Sequence, residues 1–120
     1  MISYEQFKEI YDALGETGDE FPLSFRDRPG DEYMIVACHG GPSFQKYYGS
    51  SRYEEQFYTS IDELFHAVQP DGVCLERDWD SIDCIMLGDV FRLDDPDGLE
   101  ECWEIYVPLI RKQFERWGIS

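Results

Sequence analysis

Positive charge is scarce in this chain. Its 120 residues include 10 Lys and Arg against 26 Asp and Glu, which gives a formal net charge of −16 at pH 7. Nucleic acids and anionic lipid surfaces are bound mainly through Lys and Arg, so the balance argues against both as direct partners. It favours cations and basic proteins, whose encounter with an acidic surface is accelerated.

Long apolar runs and targeting signals are also missing. No stretch approaches the roughly 18 apolar residues of a membrane span. Residues 1–5 lack the basic and apolar pattern of a secretory signal. We therefore expect a cytoplasmic protein that does not enter a membrane. The four cysteines are widely spaced without a CxxC pair, so we expect reduced thiols rather than disulfides.

Signatures of catalysis are absent as well. The sequence contains no GxSxG, Walker loop, dinucleotide fingerprint or HExxH. We expect a protein that is not an enzyme and that has no cofactor.

Apolar and aromatic residues, in contrast, are plentiful. The chain is 42% hydrophobic and 16% aromatic, whereas acidic disordered chains are poor in both. This composition predicts one globular domain over residues 1–120 with a packed core and an acidic surface.

The periodicity of the apolar residues predicts an α+β fold. Consecutive strands without intervening helices indicate a small, mostly antiparallel sheet of about four or five strands, with helices on one face and at both ends of the chain. Pro108 predicts either a kink in the last helix or two abutting helices. The predicted helices cover 3–14, 60–68, 75–80 and 99–117, and a turn covers 49–51. The predicted strands cover 21–26, 33–39, 43–48, 55–58 and 82–87, with 90–93 as an extension of the last strand past Gly88.

Cys38 and His39 form the segment that most resembles a catalytic pair. A thiol next to an imidazole at a strand end is compatible with a nucleophile and its base. Neighbours along a strand point to opposite faces, however, and the glycines that follow are typical of a turn. We favour a buried cysteine here, and keep a small metal-binding protein or an enzyme using Cys38, His39 and nearby acids as the alternative.

Two further patterns resemble cation sites. The two histidines and four cysteines lack the spacing of zinc ligands. Residues 93–104 place Asp95, Asp97, Glu101 and Glu104 at calcium-loop positions when Gly98 is the sixth residue, but Leu93 then occupies the first. We favour a helix cap at Asp97 and assign no metal site.

An acidic cluster around a tryptophan is the first candidate for partner binding. An aromatic anchor ringed by carboxylates suits a basic partner. The candidate residues are Glu76, Asp78, Trp79, Asp80 and Asp83.

A tyrosine-rich stretch is the second candidate. Tyrosines are enriched in protein interfaces, although the same residues can pack on one face of a sheet. The candidate residues are Tyr47, Tyr48 and Tyr53.

Taken together, the sequence favours a non-catalytic acidic domain that binds a basic protein surface. Immunity or antitoxin-type inhibitors have this character, as do phage-type inhibitors that mimic nucleic acid. The aromatic content favours the first class, since pure mimicry needs only distributed charge. A homo-oligomeric structural domain with a solubilising surface is a further alternative.

Overall fold

A computed structural model describes residues 2–48 and 52–119, so the turn predicted at 49–51 lies outside the described residues. The helices are α1 (Tyr4–Leu14), α2 (Ile61–His66), α3 (Leu75–Asp78) and α4 (Val107–Arg116), with 3-10 turns at Trp79–Ser81 and Pro96–Glu101. The strands are β1 (Glu20–Phe25), β2 (Glu32–Val36), β3 (Ser43–Tyr47), β4 (Tyr53–Phe57), β5 (Ile82–Leu87) and β6 (Phe91–Arg92).

The six strands form one antiparallel sheet in the order β4-β3-β2-β1-β5-β6. This confirms the predicted α+β class, with one strand more than expected. The additional strand arises at Gly88, whose φ of 60° favours glycine and turns the chain back so that Phe91 pairs with Leu87.

Strict alternation along β1 determines which side of the sheet is the core. Phe21, Leu23 and Phe25 are buried, whereas the residues between them are only partly covered. Phe7 of α1 meets Phe21 edge-on, with ring centroids 5.2 Å apart, and Phe114 of α4 packs on Phe91. The helices therefore cover one face of the sheet.

The spacing of Ser3 with Gln6 and of Ser60 with Glu63 predicts a capping box at two helix starts, and α1 begins with the first of them. The Ser3 hydroxyl accepts a hydrogen bond from the Gln6 amide, and the Gln6 side chain accepts one from the Ser3 amide. Gly15 ends the helix at φ 80°. At the second predicted box, Ser60 caps α2 in the same way, but the Glu63 carboxylate accepts from the Thr59 hydroxyl instead.

The C-terminal region is two helical segments rather than one continuous helix. The turn at Pro96–Glu101 ends before Cys102, and α4 starts at Val107 with Pro108 in its first turn. Proline is well tolerated there because amides of the first turn have no partner within the helix. Abutting helices were one of the two predicted outcomes.

A polar cluster around Asp71 links the α2–α3 connection to the sheet through hydrogen bonds. Its carboxylate accepts hydrogen bonds from the Lys46 ammonium (2.7 Å) and the Tyr33 hydroxyl (2.6 Å). Burial alone would raise the pKa of Asp71, but these two donors outweigh it and lower the pKa to about 2. Burial and the same carboxylate raise the pKa of Tyr33 to about 12.

Among the helices in the two described ranges, none has both the length and the apolar character required to cross a membrane.

Candidate interaction surface on the open face of the sheet

The side of the sheet opposite the helices, here called the open face, carries the outward residues of the strands. Cross-strand pairing places these residues in rows: Tyr53 pairs with Tyr47 and Tyr47 with Glu32, while Gln45 pairs with Met34 and Met34 with Pro22. The open face consists of Glu20, Pro22, Ser24, Glu32, Met34, Val36, Ser43, Gln45, Tyr47, Tyr53, Glu55, Phe57, Cys84 and Met86.

A groove runs along β1 on this face. The outward residues of β1 include Pro22 and Ser24, which are short, while Met34 on one side and Met86 on the other are long. The depression between them has a volume of about 440 Å³. Cys84 also lines it, and burial raises the pKa of this thiol, which disfavours a reactive thiolate. The groove is therefore a mainly apolar recess.

The groove continues into a second depression at the Trp103 end of β1. This depression has a volume of about 570 Å³ and shares Pro22 and Met34 with the first. Trp103 is 43% exposed and lies against Gly88, where an added Cβ would be only 2.6 Å from the indole Cη2 atom. The other residues that line this second depression are Gly18, Asp19, Glu20 and Asp89.

Trp103 is held in place through the rest of its turn. Tyr106 meets the indole edge-on, with ring centroids 6.0 Å apart, and the Tyr106 hydroxyl donates a hydrogen bond of 2.6 Å to Asp19. These contacts hold the Trp103 side chain where it forms one side of the groove.

The charge of the open face is negative. Glu20, Glu32 and Glu55 are its strand carboxylates, and Arg92, the cross-strand partner of Met86, forms an ion pair with Asp94. Most cations elsewhere are also engaged by acids, so they do not offset the charge of this surface. Those in ion pairs are Lys8, Arg28, Lys46, Arg77, Arg92, Arg111 and Arg116.

Two side chains of β3 hold the Glu55 carboxylate in place. It accepts hydrogen bonds from the Gln45 amide (2.6 Å) and the Ser43 hydroxyl (2.8 Å). The Tyr47 hydroxyl in turn donates to the side-chain Oε1 of Gln45. These linked hydrogen bonds orient the Glu55 carboxylate in advance, and a pre-oriented group loses less entropy when it binds.

The structure divides the tyrosine-rich candidate between two places. Tyr47 and Tyr53 are neighbours on the open face, with ring centroids 5.5 Å apart. Tyr48 lies beside Lys46, whose ammonium is 5.2 Å from the ring and bonded to Asp71 on the helix side. Only the first two therefore belong to the surface described here.

The acidic candidate cluster does not surround an exposed aromatic ring. Trp79 is 6% exposed and its indole N–H donates to the carbonyl of Ile2, so it is a core residue. The prediction that Trp79 is an exposed aromatic anchor is therefore wrong. The error has a local cause: the 3-10 turn Trp79–Ser81 rotates the indole inward against Phe7 and Tyr4.

The carboxylates around Trp79 have separate environments. The Asp78 carboxylate accepts a hydrogen bond from the Cys74 backbone amide and pairs with Arg77, so it closes the single turn of α3. Glu76 is exposed beside His66, with 2.8 Å between its Oε2 and the imidazole Nδ1. Asp80 and Asp83 are also exposed. The exposed members of the cluster are therefore Glu76, Asp80 and Asp83.

Cys38 and His39 contact different groups. The Cys38 thiol is 3.8 Å from the Ser43 hydroxyl, while the fully exposed His39 imidazole is 3.8 Å from the Glu16 carboxylate. Strand β2 ends at Val36, although the sequence predicted a strand as far as His39. Both residues of the pair therefore lie beyond the strand. The pair lies in the loop that follows.

The candidate cation positions have structural roles. Asp94 pairs with Arg92. The predicted cap at Asp97 is wrong, because Asp95 is the residue that caps the following turn, where it accepts a hydrogen bond from the Asp97 backbone amide. Across residues 2–48 and 52–119, no three His, Cys, Asp or Glu side chains form a group that suits a metal ion.

Sequence reasoning missed the groove residues Pro22, Met34, Met86 and Trp103. A signal was present in β1, where large inward residues alternate with Pro22 and Ser24. Small outward residues in a central strand predict a depression wherever the neighbouring strands carry longer side chains. The identity of those neighbours depends on strand order, which the sequence did not supply.

Comparison with known proteins identified no relative: no protein-family model, curated protein or solved structure matches the chain.

Proposed function

We propose that this protein is a non-catalytic interaction domain that binds a basic surface of another protein, as an immunity or antitoxin-type inhibitor does. The observation that carries the proposal is the open face, where three strand carboxylates, two neighbouring tyrosines and an apolar groove occur together without a free strand cation. Aromatic and apolar centres with charged surroundings are the usual composition of specific interfaces.

The mechanism is steric and electrostatic. The net charge of −16 draws a basic partner toward the domain. Glu20, Glu32 and Glu55 then pair with its Lys and Arg side chains while the apolar centre of the face excludes water. A partner whose basic surface normally binds nucleic acid is blocked by this contact.

The groove also favours the proposed inhibitor over a nucleic-acid mimic. A mimic acts through carboxylates distributed in the manner of phosphates, and needs no apolar recess. Here the charges border a recess of about 440 Å³, which favours recognition of a particular protein surface.

The experiment is affinity capture of partners from a lysate of the native host at low salt, followed by a salt gradient and mass spectrometry. We expect one stoichiometric basic protein that stays bound past roughly 0.3 M salt, where long-range attraction is screened. A set of basic proteins released together at low salt would contradict the proposal, because it would show charge without specificity.

Two matched variants then locate the surface. The first carries Glu20→Gln, Glu32→Gln and Glu55→Gln; the second carries Glu76→Gln, Asp80→Asn and Asp83→Asn, which removes the same charge elsewhere. We expect the first to slow association with the captured partner roughly tenfold and flatten its salt dependence, and the second to have little effect. Equal effects would indicate distributed charge, and a larger effect of the second would move the interface to residues 76–83.

A further inference from the structure

The groove on the open face has two chemically different halves. One half is the apolar recess lined by Pro22, Met34, Cys84 and Met86. The other is bordered by Trp103 and by the carboxylates of Asp19, Glu20 and Asp89. Because both halves share Pro22 and Met34, one bound segment can occupy them together.

The apolar half fits a hydrophobic side chain. Its volume of about 440 Å³ is in the range of pockets that bury small ligands. Methionine side chains such as Met34 and Met86 adapt their shape to whatever they contact, which is why they are common in binding surfaces.

The Trp103 half fits a cation. An exposed indole attracts a guanidinium or ammonium group through the face of the ring. The carboxylates of Asp19, Glu20 and Asp89 lie around the same depression and add direct charge attraction. Gly88 permits this arrangement, since a larger residue there would displace the indole.

We infer that the groove binds a segment of the partner protein in which an apolar side chain lies next to an Arg or Lys. The inference rests on the proposed function and identifies the feature of the basic partner that is recognised. A second copy of this chain is disfavoured as the occupant, since each copy carries a net charge of −16 and Arg92 is already paired with Asp94.

The test uses three synthetic peptides of equal charge. The first is a lysine-rich hexapeptide with a central Leu-Arg pair and a terminal Gln. The second has Ala in place of Leu. In the third, the central Arg and the terminal Gln are exchanged. Binding is measured by titration at low salt. The ¹³C-labelled methyl signals of Met34 and Met86, assigned from Met→Leu variants, report occupancy of the groove.

We expect the Leu-Arg peptide to bind about tenfold more tightly than the Ala peptide, and to shift both methionine signals. It should also bind several-fold more tightly than the peptide with the displaced Arg. Met86→Trp and Ser24→Leu, which fill the apolar half, should abolish the Leu preference. Val68→Trp, which alters a residue 69% exposed outside the groove, should retain it. Trp103→Leu should abolish the preference for the central Arg.

Equal binding of all three peptides without methionine shifts would overturn the inference, and the proposed function would still be decided by its own charge variants. No binding of any peptide at low salt would count against both. Sedimentation at increasing protein concentration tests whether a second copy binds the groove. Self-association that Met86→Trp abolishes would show that it does, and would also overturn the inference.

Discussion

Asp71 is the residue on which the attachment of the α2–α3 connection depends most. Its folded pKa of about 2 lies below the usual value of about 3.9 for an unfolded Asp. The ionised carboxylate therefore stabilises the fold above about pH 4, and this contribution disappears as the pH falls through 2.

We predict that Asp71→Asn lowers the free energy of unfolding by about 2 kcal/mol at pH 7. The difference from the unmodified protein should shrink as the pH is lowered toward 2. Urea unfolding across this pH range measures it, with Asp89→Asn as the control because Asp89 is exposed in the β5–β6 turn. A constant difference at every pH would show that packing, rather than charge, explains the loss.

This cluster marks a limit of sequence reasoning at the residue scale. Tyr33, Lys46 and Asp71 are far apart in the chain and come together only through the order of the sheet. Local signals were more informative: the Ser3–Gln6 capping box depends on residues three apart, and it was predicted correctly.

At the scale of elements, Pro108 gives the clearest prediction. Proline inside a helix costs about 3 kcal/mol, whereas proline in the first turn costs little. Because Pro108 lies in the first turn of α4, Pro108→Ala should change the free energy of unfolding by less than about 1 kcal/mol. Thermal and urea unfolding measure the change. A gain near 3 kcal/mol would indicate that the helix extends toward Leu99 after all.

The strands show what periodicity can and cannot predict. Alternation in β1 correctly separates Phe21, Leu23 and Phe25 from the outward residues. It does not say whether helices cover the outward side too. That depends on where α1 and α4 pack, so the open face and its groove became visible only in three dimensions.

At the scale of the whole molecule, the net charge of −16 opposes the compact state through self-repulsion. Salt screens this repulsion over about 10 Å at 0.1 M. We therefore predict that raising NaCl from about 10 to 300 mM raises the melting temperature by several degrees. Sucrose is the control, because it stabilises proteins by exclusion from their surface without screening charge. A fall in melting temperature with NaCl would show that ion pairs such as Lys8–Asp62 outweigh the repulsion.

The ion pair between Lys46 and Asp71 has a practical consequence for handling the protein. The chain has three lysines, and the hydrogen bond to Asp71 raises the pKa of Lys46, whose side chain is only 16% exposed. Amine-reactive reagents at mild pH should therefore spare it and modify the exposed Lys112 on α4 most readily, since Lys8 on α1 also forms an ion pair that raises its pKa. A sensor chip or resin coupled through Lys112 would hold the helical layer and leave the sheet side facing the solution.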